Sequence, residues 1–203
     1  QRIGSWPIDQ VTPDHLITHM VGRQITERFP KVEVTPGDTL LEVRDLLLRG
    51  SSTPVSFSVR RGEIVGIAGL MGAGRTELML AVAGIDRPAR GQVLLEGKPL
   101  PPGDAATAIR RGLVLVPEDR RRQGLLTGRS VRENLSLGRL GNLTRAGLIR
   151  PRAERQLVDQ YVSELGIRTP HQEQSVTNLS GGNQQKVILG RWLATSPKLL
   201  ILD

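Results

Sequence analysis

The 203-residue chain is long enough for one sizeable domain with a buried core. It has no cysteine, which excludes disulfides and thiolate metal sites, and no apolar run near the roughly 20 residues of a membrane span. The formal net charge is +8, mostly from arginine, but aromatics are only 2% of the residues, too few for base-stacking platforms, so nucleic acid is not the expected partner.

Residues 1–20 carry Asp9, Asp14 and two histidines, without the continuous apolar block of a signal peptide. Within residues 11–28, Leu16, Ile17, Met20 and Val21 fall on one face of an amphipathic helix, with Asp14 placed to cap its start. "FPKVEVTPGD" then reads as a linker. A new unit begins at Thr39. "LLEVRDLLL" and "VSFSV" read as strands joined by "SSTP". "RRGE" turns the chain into "IVGIAGL", which reads as a buried strand of Ile64, Val65, Ile67 and Ala68. A glycine loop follows, then the helix "TELMLAVAG", ended by Gly84. "GQVLLEG" reads as a strand, "GDAATAIRRG" as a short helix and "LVLVPE" as a strand. Beyond Glu118, "SVRENLSLGRL" and "RAERQLVDQYVSELG" have helical patterns, with Ser130 as a cap. "NLSGGNQQKVILGRWLATSP" is a glycine-opened helix closed by Pro197, in which Trp192 packs with Ile188 and Leu189 and Lys186 faces water. "KLLILD" is a final apolar strand. The plan is a parallel α/β core with a helical insertion between two of its strands. An opening without methionine and a stop inside an apolar run read as a piece of a longer protein.

The stretch "GLMGAGRTE" carries the first chemical signal. Gly69 to Gly74 has the G-x-x-x-x-G spacing of a phosphate-binding loop, between an apolar strand and a helix. Glycines let the backbone approach a phosphate, and the N–H groups of a helix start present partial positive charge to it. The nucleotide-binding residues expected from this spacing are Gly69, Leu70, Met71, Gly72, Ala73, Gly74, Arg75, Thr76 and Glu77. Thr76 stands where a magnesium-bound hydroxyl belongs. Arg75 stands where the motif has lysine, and a bulky planar fork does not replace a compact ammonium. Phosphate binding is compatible with that exchange; hydrolysis is expected to suffer.

The second signal is "NLSGGNQQK". With Leu179, Ser180, Gly181, Gly182, Asn183 and Gln184 in the place of LSGGQ, the chain resembles the ATP-binding cassette family, in which this signature opens a helix ahead of an apolar strand ending in an aspartate, here Asp203. The glycines expose N–H groups at the helix start, and Ser180 is placed to cap it. "GLMGAGRTEL", "VPEDRRRQGLL", "SVRENLSL" and "LSGGNQQKVILGRWLA" together look like the second cassette of tandem ATP-binding subunits of bacterial sugar importers of the ribose, galactose and xylose type.

The resemblance implies a phosphate-loop NTPase core with an N-terminal antiparallel β subdomain and an inserted helical subdomain, cut at the strand that ends in Asp203. Residues 1–37 would be the end of a preceding cassette and a linker. Residues 38–203 would be an incomplete second ATP-binding domain, with its helical insertion at about 120–195. ATP and Mg²⁺ are the implied cofactors, with Thr76, Glu118 and Asp203 toward the metal. Glu118 holds the position of the family's Q-loop glutamine. No aromatic stands near Gly50 to Pro54 to stack on adenine. The catalytic glutamate and switch histidine would follow Asp203, so no complete catalytic set falls in the chain. Arginine in the loop is common in such second cassettes. The signature would act in trans, on ATP held by another cassette. Implied partners are the preceding cassette, a second copy of the subunit, the transmembrane permease and, indirectly, a periplasmic sugar-binding protein. The implied location is peripheral, on the cytoplasmic face of the bacterial inner membrane. Arg120 to Arg122 would lie near the permease surface, or in a solvated loop. The competing readings are a regulatory, non-hydrolytic nucleotide-binding module and a soluble cassette ATPase of DNA repair or translation.

Overall fold

The computed structural model describes residues 4–12, 15–16, 18–19 and 34–203, and it divides into two units, Gln1–Thr35 and Pro36–Asp203. In the first unit a 3-10 turn spans Ile8–Gln10, and Thr12 Oγ1 accepts from the His15 N–H at 3.2 Å. The Trp6 ring stacks on His19 with centroids 4.7 Å apart. Of the expected apolar face, Leu16 is exposed, while Asp14, Ile17, Met20 and Val21 lie outside the described residues.

The second unit opens with an antiparallel sheet. Its strands are β1 (Thr39–Leu47), β2 (Val55–Arg60), β3 (Arg90–Leu95) and the two-residue β4 (Lys98–Pro99), in the order β2-β1-β3-β4. The central strand buries Leu41, Val43 and Leu46, against Val93 and Leu95 of β3. β1 bulges at Asp45, whose φ of 45° is left-handed, and the register with both neighbours shifts there. Gly91 meets that bulge at φ 94°, and a methyl group built on it would lie 2.4 Å from the Asp45 carbonyl oxygen. The obstacle is backbone, so no side chain can move aside. Gly91→Ala is expected to destabilise the unit by about 3 kcal/mol, adding left-handed strain to overpacking; urea unfolding of the full-length protein measures it.

Helix α1 (Arg75–Val82) packs Leu78, Ala81 and Val82 into the same core as the sheet. Helix α2 (Ala105–Arg111) starts where Asp104 accepts from the Thr107 N–H at 3.0 Å and ends at Gly112, φ 96°. It leads into β5 (Leu113–Val116), whose four residues are all buried. After a π-turn at Arg120–Gly124 come α3 (Val131–Ser136), α4 (Leu140–Leu143), a small hairpin of β6 (Thr144–Arg145) and β7 (Leu148–Ile149), α5 (Pro151–Glu164) and α6 (Gly181–Leu193). Ser130 and Glu133 form a reciprocal capping box at the start of α3. Val131, Leu135, Val158, Val176, Val187 and Ile188 fill a second core, and Trp192 packs against it; of its two expected partners, Ile188 belongs to that core and Leu189 does not. Lys186 does more than face water: its ammonium donates to the Gly166 carbonyl at 2.9 Å, beyond the end of α5. The last strand, β8 (Leu199–Leu202), runs parallel to β5, Val114 opposite Leu200. The helical region therefore lies between two parallel core strands, the arrangement expected from sequence.

One expected element is overturned. Ile64 to Leu70 forms no strand, and Ile64 is 98% exposed and Leu70 85%. Parallel strands are held by ladders on both sides and covered on both faces. Among the described residues none pairs with this segment, so its apolar sequence alone does not bury it.

Candidate functional site

The exposed segment runs straight into the glycine loop. Gly72 and Gly74 both sit at φ 79°, where a side chain would be strained, and the Ala73 N–H closes a turn on the Leu70 carbonyl at 3.0 Å. Gly74 occupies the cap position of α1 without any side-chain capping bond, so the N–H groups of the first turn are not taken by a side chain. The stem of Arg75 lies against Gly69, Cδ 3.6 Å from where a Cβ would stand, and the side chain is exposed.

Thr76 is one residue further along α1, and its hydroxyl donates to Asp203 Oδ1 at 3.1 Å across 127 positions of sequence. Strand β8 delivers Asp203, whose own N–H donates to the Val116 carbonyl of β5 at 3.0 Å. A hydroxyl and a carboxylate are the hard oxygen donors magnesium takes alongside phosphate oxygens. Arg75, Thr76, Glu118 and Asp203 together line one cleft of about 1000 Å³, with Met79, Ile64, Val65 and Ile67 on its apolar side. The three positions expected toward the metal, Thr76, Glu118 and Asp203, far apart in sequence, are thus brought to one place.

The signature lies on another surface, at the start of the 13-residue α6. Ser180 is at the cap position, but its hydroxyl does not cap the helix as expected. It accepts instead from the Asn183 side chain at 2.9 Å, and Asn183 Oδ1 accepts from the Arg168 N–H at 2.9 Å. The asparagine that replaces the glutamine of LSGGQ therefore stitches the turn to residue 168. Gly182 has open space around it, whereas Gly181 is covered by the Arg120 guanidinium. Gln184, expected among the signature contacts, is 4% exposed and donates to the Val176 carbonyl at 3.2 Å. Its side chain belongs to the interior because α6 turns that position toward the second core. Leu179 is likewise buried in that core. Ser180, Gly181, Gly182 and Asn183 remain at the surface end.

Two residues that sequence reasoning assigned no such role stand out. Arg191 is almost fully buried and donates to the carbonyls of Asn134 and Gly124, both at 2.7 Å, and to Asn134 Oδ1 at 2.9 Å. Burial pushes its pKa down to about 10, so it stays charged at neutral pH. Its place in the apolar-looking stretch "LGRWLA" is the signal: an arginine where the helix period asks for a core residue. Arg120 differs from its neighbours too, being half-buried while Arg121 and Arg122 are exposed.

A glycine loop opening a helix, its threonine bonded to the aspartate at the end of a parallel strand, defines an α/β protein of the phosphate-loop class. The profile of the ABC transporter family matches residues 52–203, and the chain belongs to that family. It is 49% identical over 206 residues to the ribose import ATP-binding protein RbsA 1 of Streptomyces coelicolor, an alignment covering 100% of this chain and 41% of that protein. It is 43% identical over 197 residues to the arabinose import ATP-binding protein AraG of Rhizobium etli, covering 97% and 39%. Among solved structures it resembles cbiO1 from Clostridium perfringens, part of the ABC transporter complex cbiONQ, with a TM-score of 0.64 and 26% identity over 82% of this chain and 65% of that one. The chain spans about two fifths of the length of the curated relatives it matches.

Proposed function

We propose that this chain is part of the energy-coupling ATPase subunit of a bacterial ABC importer for a monosaccharide, and that it forms the second cassette of a tandem pair. The names of its relatives, ribose and arabinose import ATP-binding proteins, support the substrate class, and the two-fifths coverage fits one cassette of two. The observation that carries the nucleotide reading is the Thr76–Asp203 hydrogen bond at the mouth of the glycine loop. Those two side chains would hold Mg²⁺, with Glu118 on the same cleft, and the loop N–H groups would hold the phosphates of ATP. Bound Mg²⁺ neutralises phosphate charge in the transition state of phosphoanhydride hydrolysis. Ser180, Gly181 and Gly182 would face ATP held by the partner cassette, and the loop would form the weaker site. The subunit would sit peripherally under a transmembrane permease fed by a sugar-binding protein. Among the described residues no helix is long and apolar enough to cross a membrane.

Arg75 and Glu118 favour a second, narrower reading for the loop site alone: it binds nucleotide for regulation and does not hydrolyse it. Nucleotide titration set against turnover in the full-length protein separates the two. We expect the full-length protein to bind and hydrolyse Mg-ATP, and the 203-residue chain by itself to bind ATP weakly and show no turnover. Sustained hydrolysis by the isolated chain, free of contaminating ATPase, would refute the degenerate-site reading; a full-length protein that binds no ATP would refute the function.

A further inference from the structure

Trp6, His15 and His19, in the first unit, take no part in the proposed function. Residues 15, 16, 18 and 19 are helical. Thr12 starts the turn: its carbonyl accepts from the Leu16 N–H at 3.1 Å and its hydroxyl from the His15 N–H at 3.2 Å. His15 and His19 are four positions apart, so the helix places them on one face. Their Nε2 atoms stand 3.0 Å apart, while the ring centroids are 4.4 Å apart with planes at 87°. The two Nε2 edges are therefore turned toward each other. Trp6 closes the cluster. It stacks on His19 and meets His15 edge-on, with centroids 4.9 Å apart.

This arrangement is not explained by the stability of the rings alone. His15 Nδ1 is buried with no hydrogen-bond partner, which costs stability. The paired nitrogens gain at most one hydrogen bond between them, with one ring as donor and the other as acceptor. With both Nε2 positions free of hydrogen, the same two atoms offer two lone pairs, and neutral imidazole nitrogen is the commonest metal ligand. Two imidazole nitrogens bonded to one ion at about 2.0–2.1 Å stand about 2.9 Å apart when the bonds meet at a right angle, and about 3.3 Å apart in a tetrahedron. The spacing of 3.0 Å is near the right-angled value. Square-planar and tetragonal Cu²⁺ and Ni²⁺ sites have that angle. Both histidines are half-buried, so an ion has access to them.

We propose that His15 and His19 form a bidentate site for a late first-row divalent ion, Cu²⁺ or Ni²⁺ ahead of Zn²⁺, with Trp6 as its apolar wall. Among the described residues no group of three or more His, Cys, Asp or Glu is placed to hold a metal. Water therefore fills the remaining coordination positions. The nitrogen donors select against Mg²⁺, the ion proposed for the loop cleft, which takes oxygen. An ion that bridges positions 15 and 19 clamps one helical turn, and it stabilises that turn by mass action.

The test is titration of the full-length, nucleotide-free protein with NiCl₂. Calorimetry shows a Ni²⁺ site that His15→Asn and His19→Gln each weaken at least about tenfold, since even groups that only orient a metal ligand are worth that much. His171→Asn, which changes the third histidine of the chain, leaves the site intact. Bound Ni²⁺ also quenches indole fluorescence at contact range, and Trp6→Phe lacks the quenched component. MgCl₂ at the same concentration gives neither signal. The proposal is overturned if the full-length protein has no Ni²⁺ site that these substitutions weaken, if only one of the two histidines matters, or if His171→Asn removes the site. Quenching that persists in Trp6→Phe, or an equal response to MgCl₂, also overturns it. Should a histidine variant fail to fold, the comparison of wild type with Trp6→Phe decides by itself.

Discussion

Gly182→Asp in the full-length, assembled protein is expected to lower ATP turnover by at least about a hundredfold, the scale seen when a preorganised transition-state donor is lost. The fold is expected to survive it. Gly182 is exposed with no atom within 4 Å of a new Cβ, and its φ is not in the left-handed range. An aspartate in the first turn of α6 also suits the helix dipole, by about 0.3–1 kcal/mol. The carboxylate would nonetheless stand among the N–H groups that phosphate needs, and would repel it. Activity lost while Tm holds or rises slightly is therefore the specific outcome, which simple misfolding does not give. Arg75→Ala is the counterpart. The Arg75 stem lies against Gly69, and the side chain is exposed, so its removal is expected to reduce turnover only a few-fold, as uniform rather than transition-state binding. If Arg75→Ala abolished hydrolysis and Gly182→Asp did not, the division of labour between loop and signature would be the reverse.

The parts legible in sequence are those set by short-range rules. The glycine loop, the cap at Ser130 and the short helix within residues 103–112 follow from spacing and backbone preference. The pairing of Thr76 with Asp203 was expected only in kind, from the order of motifs; their contact belongs to the parallel β5–β8 ladder. The misses have long-range causes. Ile64 to Leu70 has a strand's composition, but burial needs neighbours that no local pattern supplies. The Ser180 hydroxyl looked like a helix cap, yet the Asn183 side chain competes for it successfully from one turn away. Gln184 looked like a ligand contact because it lies in the motif, but the helical period carries it into the core. The need for glycine at position 91 arises from a bulge 46 residues earlier, at Asp45.

Arg191→Met is expected to destabilise the protein by about 2–4 kcal/mol, the range for breaking a buried charged hydrogen-bond network. The two side chains are similar in length, so the change removes donors more than volume. Arg191 holds three oxygens from two other elements: the Gly124 carbonyl at the end of the π-turn, and the carbonyl and side-chain oxygen of Asn134 in α3. Asn134 Oδ1 keeps a second donor, the Leu126 N–H at 2.8 Å, so it is not left bare. The Gly124 carbonyl and the buried Asn134 region lose theirs, each at about 1–3 kcal/mol. Against that, none of the ion pairs among the described residues involves Arg191, and removing a buried charge without such a pair returns part of its desolvation. The losses outnumber the gain, which fixes the sign. Urea unfolding of the full-length protein measures the size. Combining Arg191→Met with Asn134→Leu gives the sharper check: the double variant is expected to be less destabilised than the sum of the singles, because both remove the same network. Strict additivity would mean that Arg191 acts through packing alone. The π-turn would then be held to α6 by Gly124 and Ile188 without help from the charge.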